Sequence, residues 1–275
     1  TVLPAAIRYQ TELAANVAAL KAAGLDADLS TLQGVSAPIA ALKAGLAGKR
    51  IEGTVDLAAA TLSDARWKLR FTKVSGRTRF SDRGFASENL KVALDGQPGV
   101  FSLRVGDFAG DAKLAALATL DGRFTPPTLI DRAGDLAWLK PWMNGSSVWK
   151  VAVRIPKSLP GKPAPPSELR VQSDLAGTAL TMPAPLNKAA ATSMPLDVVA
   201  ALPVEQGEIA VRLGEVMRFR GLVRAKAPMS GSLQFGAGAV AAPRATGLSV
   251  RGVVPLLDAA GWIAFSSKGE GGGAL

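Results

Sequence analysis

The feature that most constrains this chain is a two-residue alternation of apolar and polar side chains, repeated in short runs along most of its length. Trp149, Val151, Val153 and Ile155 alternate with Lys150, Ala152 and Arg154, and Leu169, Val171, Ser173 and Leu175 alternate with Arg170, Gln172 and Asp174. Successive side chains on a strand point to opposite faces, so each run encodes a strand with one dry and one wet face. The same period occurs at Ile51, Val55 and Leu57, and at Trp67, Leu69 and Phe71 against Lys68, Arg70 and Thr72. It returns at Leu90, Val92 and Leu94 and at Phe101, Leu103 and Val105, with Asp95-Gly96 supplying a hairpin turn between these two runs. Further strands are expected over 113–123, Leu196 to Leu202, Ile209 through Val211 to Leu213, Met217 to Val223, Leu233 to Phe235 and Leu248 to Val254.

Helical periodicity is confined to short stretches. Residues 1–47 carry one stripe of Ile7, Leu13, Val17 and Leu20 and another of Ile39, Leu42 and Leu46. Pro126 and Pro127 stand ahead of an apolar helical stretch with Leu129, Ile130, Leu136, Leu139 and Trp142, at the place where proline suits a helix start. Residues 255–265 read as a short helix, and the proline-bounded pieces 160–166 and 183–195 read as loops. A short apolar helix, a glycine and a run of amphipathic strands thus recur. The expected division is a helical segment over 1–47, a first β repeat over 48–125, a second with its opening helix over 126–254, and the start of a third over 255–275, as in a fragment of a longer array.

Composition narrows the chemistry. The 275 residues include no Cys and no His, which removes thiol and imidazole catalysis, the usual zinc ligand sets and any disulfide framework. Asp131 and Asp135 are one helical turn apart but have no metal-binding company, and the dipeptides Lys157-Ser158 and Ser267-Lys268 place nucleophile and base on opposite faces of a strand. Gly236-x-Gly238 lacks the rest of a phosphate-binding fingerprint and reads as a turn. No enzyme activity and no cofactor are expected. The net charge of +10 favours anionic partners, yet Lys and Arg are dispersed rather than blocked. Arg212, Arg218, Arg220 and Arg224 can meet phosphates at a rim or simply solvate an outer face. With aromatics at only 5% of the chain, the stacking platforms of a single-strand nucleic-acid binder are missing, so nucleic acid is not an expected partner. No apolar run reaches the roughly 18 to 20 residues that span a bilayer, and Thr1 opens no signal peptide, so any membrane anchor is expected outside this fragment.

A sheet with one apolar face must cover it. About three short helices can cap such a sheet but not roof it. Two solutions stay open on the residues alone: a trough filled by hydrocarbon tails, in which each buried methylene contributes about 0.8 kcal/mol, or a sandwich or barrel closed on itself.

Several segments resemble a known family. ELRVQSDLAGTALTMPAPLNK, from Glu168 to Lys188, is similar to the strand and proline-leucine-lysine segment of YhdP-type members of the AsmA-like family. GSSVWKVAVRIP from Gly145, MPLDVVAAL from Met194 and the helix-like PLLDAAGWIAF from Pro255 support it, and the likeness covers roughly residues 35–265. What it implies is a mainly β fold: an elongated, curled antiparallel sheet, a repeating β-groove, with a few short capping helices. It further implies a Gram-negative periplasmic protein, anchored to the inner membrane by an N-terminal helix outside this chain, that carries phospholipid toward the outer membrane. The groove-lining set expected on this reading is Ile51, Val55, Leu57, Trp67, Leu69, Phe71, Trp149, Val151, Val153, Ile155, Leu169, Val171, Leu175, Ile209, Val211, Leu213, Leu233 and Phe235. The alternative is a structural or assembly module of the envelope with a closed β core and no lipid cargo.

Overall fold

The computed structural model describes residues 51–268 apart from 65–67, 134–135, 159–160, 162–164, 205, 225–226 and 244–245. The helical expectation for 1–47 and the position of Trp67 lie outside the described residues.

The alternating runs become β1 (Glu52–Asp64), β2 (Leu69–Ser81), β3 (Gly84–Leu94), β4 (Gln97–Gly106) and β5 (Leu114–Phe124). After the short helix α1 (Pro126–Ile130) come β6 (Met143–Gly145), β7 (Ser147–Pro156), β8 (Ser167–Ser173) and β9 (Thr178–Leu180). The remainder is β10 (Leu196–Leu202), β11 (Gly207–Leu213), β12 (Met217–Arg224), β13 (Ala227–Phe235), β14 (Leu248–Gly252) and helix α2 (Ala259–Lys268). Twelve of these strands form one sheet in the order β1-β2-β3-β4-β5-β7-β8-β10-β11-β12-β13-β14, and β6 pairs with β9 in a separate ribbon. The sheet is open, since its two edge strands do not pair with each other.

Local chemistry explains this meander. Asp95 and Gly96 both take positive φ, 48° and 80°, the backbone that a tight β3–β4 hairpin requires. Register shifts interrupt the β1–β2, β2–β3 and β3–β4 pairings, with Ala59, Lys73 and Asn89 at positive φ. Bulges bend and twist a sheet, so this half curls. Two hydroxyls take up N–H groups at the bulges: Ala59 N donates to Ser75 Oγ at 3.2 Å and Asn89 N to Ser102 Oγ at 3.0 Å.

Three details depart from sequence expectation. The pairing is antiparallel up to β13, but β14 runs parallel to it. A parallel neighbour requires a crossover rather than a tight turn, and Ser232 Oγ on the polar side of β13 donates to Ala242 O in the intervening stretch. The apolar stretch 129–142 is not one helix: α1 ends at Ile130 and a separate 3-10 turn spans Ala137–Trp142 around Pro141, which has no N–H to continue an α-helical ladder. Finally, 183–195 is more than a loop. Leu180 and Lys188 exchange backbone hydrogen bonds at 2.9 Å, and Met182, Ala184, Leu186 and Lys188 are buried in alternation.

The packed core runs along β2, β3 and β5 through Val74, Leu90 and Leu120 and is largest at one end of the strands. There Phe124, Trp149, Leu175, Leu180, Met182, Leu186 and Leu213 are buried together. Trp149 Nε1 donates to Phe124 O at 3.1 Å, and Trp262 on α2 donates through Nε1 to Ala184 O at 2.8 Å, fastening that helix to the folded-back segment.

Candidate functional site

Register converts the separate alternations into continuous rows. One row crosses all twelve strands: Val55, Thr78, Ser87, Leu103, Ala118, Val153, Leu169, Ala200, Ile209, Gly221, Gly231 and Leu248 are cross-strand partners in succession. A second runs from Leu90 through Phe101, Leu120, Val151, Val171, Val198, Val211, Phe219 and Leu233 to Val250, and reaches Leu57 through Gly76. At a strand spacing of about 4.8 Å, each row extends about 50 Å across the sheet. Neither contains a charged residue. The hydroxyls of Thr78 and Ser87, the polar pair in the first row, lie 2.7 Å apart and satisfy each other.

Most large apolar side chains in these rows are half-buried. Leu103, Val153, Leu169, Ile209, Val151, Val171, Val198, Val211, Phe219 and Leu233 are neither sealed nor fully solvated, while Val55 at one edge and Val250 at the other are 48% and 54% exposed. Leu90, Leu120 and Ala200 in the same rows are sealed, at 1%, 7% and 2% exposure, and the half-buried remainder has the burial expected of a furrow whose open side the protein does not cover. A third row, Trp149, Ser173, Leu196, Leu213, Met217 and Phe235, runs beside the folded-back segment, and its members Trp149 and Leu213 are buried in the core.

The predicted set therefore divides. Val55, Val153, Leu169 and Ile209 stand in the first row, and Leu57, Val151, Val171, Val211 and Leu233 in the second, where Leu57, Val151 and Val171 also pack with part of their surface against the buried core. Leu69, Phe71, Trp149, Leu213 and Phe235 belong to the packed end, as does Leu175, which is 1% exposed beyond the end of β8. Ile155 faces Ala116 at the opposite end of β7, and Ile51 is exposed just ahead of β1. Phe101, Leu103, Val198, Phe219 and Val250 share the two rows although the set omits them. Their alternation was visible, but only cross-strand register joins them to the others.

The opposite face is charged and largely paired. Arg77 meets Asp56 at 2.7 Å, Arg79 and Arg104 both reach Glu88, and Arg170 forms a two-pronged pair with Asp197. Glu215 accepts from both Arg212 and Arg218, and Arg220 meets Glu208 at 3.3 Å, so these arginines form a solvated, paired outer face. Hydrogen bonding from Arg170 holds the Asp197 carboxyl below the usual range against the opposing effect of burial, and Arg212 followed by Arg218 does the same for Glu215. Asp131 is paired with Lys140; Asp135 lies outside the described residues. Among the described residues, no group of three or more acidic side chains is placed to hold a metal ion, and no helix is long and apolar enough to cross a membrane.

The closed end is pinned by Lys188. Its Nζ donates to Thr178 O at 2.6 Å and Ala189 O at 2.9 Å, and burial lowers its pKa while Asp174 pulls the other way. Ser147 and Thr178 share a hydroxyl contact beneath it. A separate recess of about 750 Å³ lies between α2 and the 181–187 segment, walled by Trp142, Met182, Leu257 and Phe265. It belongs to the closed end rather than to the open rows.

Comparison with known proteins gives one match: the family model described as YhdP protein aligns with residues 25–274. No curated protein and no solved structure matches the chain.

Proposed function

From the premise that this chain belongs to the YhdP family, within the AsmA-like class of lipid-transport-type envelope proteins, we propose that its open apolar rows bind phospholipid acyl chains and carry them across the sheet. The carrying observation is the uncharged face that runs from β1 to β14, on which most large apolar side chains are half-buried while Leu90 and Leu120 are sealed in the core. At about 25 cal/mol per Å² of apolar surface removed from water, such a face gains from hydrocarbon whatever the headgroup, with no specific polar contact. Charge is kept to the opposite face by strand alternation, so the furrow is dry without a closed barrel. Covalent chemistry has no part in this reading. Its setting is the periplasm of a Gram-negative envelope, between an inner membrane that anchors the full protein and the outer membrane that receives the lipid. The second reading, a structural module with no cargo, draws on the protein-sealed core around Phe124 and Trp149.

Native mass spectrometry of the chain purified from Gram-negative cells separates the two. Adducts with phospholipid masses, released on collisional activation, are expected. A lipid-free spectrum under conditions that preserve other lipid–protein complexes would favour the structural module.

A further inference from the structure

Gly221 and Gly231 face each other in the first row, on β12 and β13. Neither is among the glycines at positive φ, so backbone freedom does not account for them, and a glycine inside a strand otherwise marks a bulge or a close approach. The close approach is a ring. A Cβ on Gly221 would stand 2.7 Å from Cε1 and Cζ of Phe219, and one on Gly231 would stand 2.5 Å from its Cε2. Both glycines are buried, on a face where the neighbouring side chains are half-buried. Phe219 therefore roots in the second row and lays its ring along the sheet, over the place where two first-row side chains would rise. Phe80 treats Gly53 in the same way, and Phe124 treats Gly99 and Gly122, although Phe124 is sealed in the core.

We propose that Gly221 and Gly231 gauge the bore of the furrow: by letting Phe219 lie flat they keep the stretch from β11 to β13 open to an acyl chain. This rests on the reading of the rows as an acyl-chain path. A methyl group at either glycine must displace the ring, the movable end of a two-torsion side chain. Such a methyl group rises from the sheet beneath the ring, and a Cβ at Gly221 would also stand 3.0 Å from Ile209 Cγ2 in the same row. Pushed from below, the ring is lifted away from the sheet, toward the furrow. Rings over glycines also stabilise sheets, and the test separates bore from stability.

A photo-reactive residue is placed at Ile209, beside the glycine pair, or at Val153, farther along the same row, in the whole chain expressed in Gram-negative cells. With Gly231→Ala, phospholipid adducts at Ile209 are expected to fall by about tenfold, equivalent to about 1.4 kcal/mol at that station, while adducts at Val153 persist. Adding Phe219→Ala removes the ring to be displaced, so the double variant is expected to fold whether or not the single one does, and to restore Ile209 adducts. Unchanged Ile209 adducts in folded Gly231→Ala, or adducts still missing in the double variant, overturn the gauge. No adduct at either position in the unsubstituted chain overturns the acyl-chain reading itself, and the gauge with it.

Discussion

Lys188 is a charged side chain that the fold encloses at 7% exposure, and what it holds decides how the furrow ends. Its two carbonyl partners are Thr178 O on β9 and Ala189 O on the folded-back segment, so it joins the two. Lys188→Met would remove the Nζ donor from both carbonyls, although Ala189 O keeps the Thr192 N–H at 3.1 Å, and we expect a loss of about 1–3 kcal/mol in urea unfolding. The pH dependence has a definite sign. Burial lowers the folded-state pKa, so the unfolded chain binds the proton more tightly between that lowered value and about 10.4. The lysine's contribution is complete above the unfolded value and is lost as pH falls through the folded one. The stability gap between the native chain and Lys188→Met should therefore widen as pH rises toward about 10.4, and a gap independent of pH would contradict the assignment. Val171 tests the open side. It is half-buried and lines the second row, so Val171→Asp should lose co-purifying phospholipid while keeping a cooperative unfolding transition. Loss of cooperativity would instead place Val171 in the sealed core. The face to which Val171 and Val153 belong was legible from alternation alone. Whether a residue on that face is sealed was not: Trp149 and Val151 follow the same code, yet Trp149 is 4% exposed, in one buried cluster with Leu175, Leu180, Met182 and Leu186 from the chain after β8.

Elements show the same division between local and distant causes. VWKVAVRI declared β7 almost to its ends, and Asp95-Gly96 declared the β3–β4 turn, because both depend on neighbours in sequence. The folded-back segment was hidden by its own prolines. MPAPLNK carries a two-residue burial period, but Pro183 and Pro185 read as loop punctuation. The parallel β14 was hidden because strand direction depends on the length and course of the connection and not on the alternation within the strand. The 3-10 turn around Pro141 shows a proline ending an apolar stretch that periodicity alone would have continued. Two measurements belong to this scale. Leu175→Ala removes a fully buried side chain where β8 gives way to the segment, and should cost about 2–5 kcal/mol, against far less for a truncation at exposed Ile155. Asp197→Asn breaks the pair that ties β8 to β10 on the wet face. Both side chains are about a third exposed, so we expect a loss of about 1 kcal/mol or less. Because Arg170 lowers the Asp197 pKa, that contribution is present above the ordinary aspartate value of about 3.9 and disappears as pH falls through the folded value.

At the scale of the whole molecule, a single open sheet places its uncharged rows on one side and its paired charges on the other, and seals one end of its strands with its own side chains. Dryness and openness coexist because strand alternation separates the faces and because the folded-back segment covers only one end. The central claim is that hydrocarbon from outside the chain completes the dry face, and a photo-crosslinking scan along two neighbouring strands tests it most directly. Reactive residues placed one at a time at Val151, Ala152 and Val153 on β7, and at Arg170, Val171 and Gln172 on β8, sample both faces at adjacent positions. The account predicts phospholipid adducts at Val151, Val153 and Val171 and none at Ala152, Arg170 and Gln172, a period of two in step with the strands. Adducts of equal yield on both faces, or none on the apolar one, would contradict it.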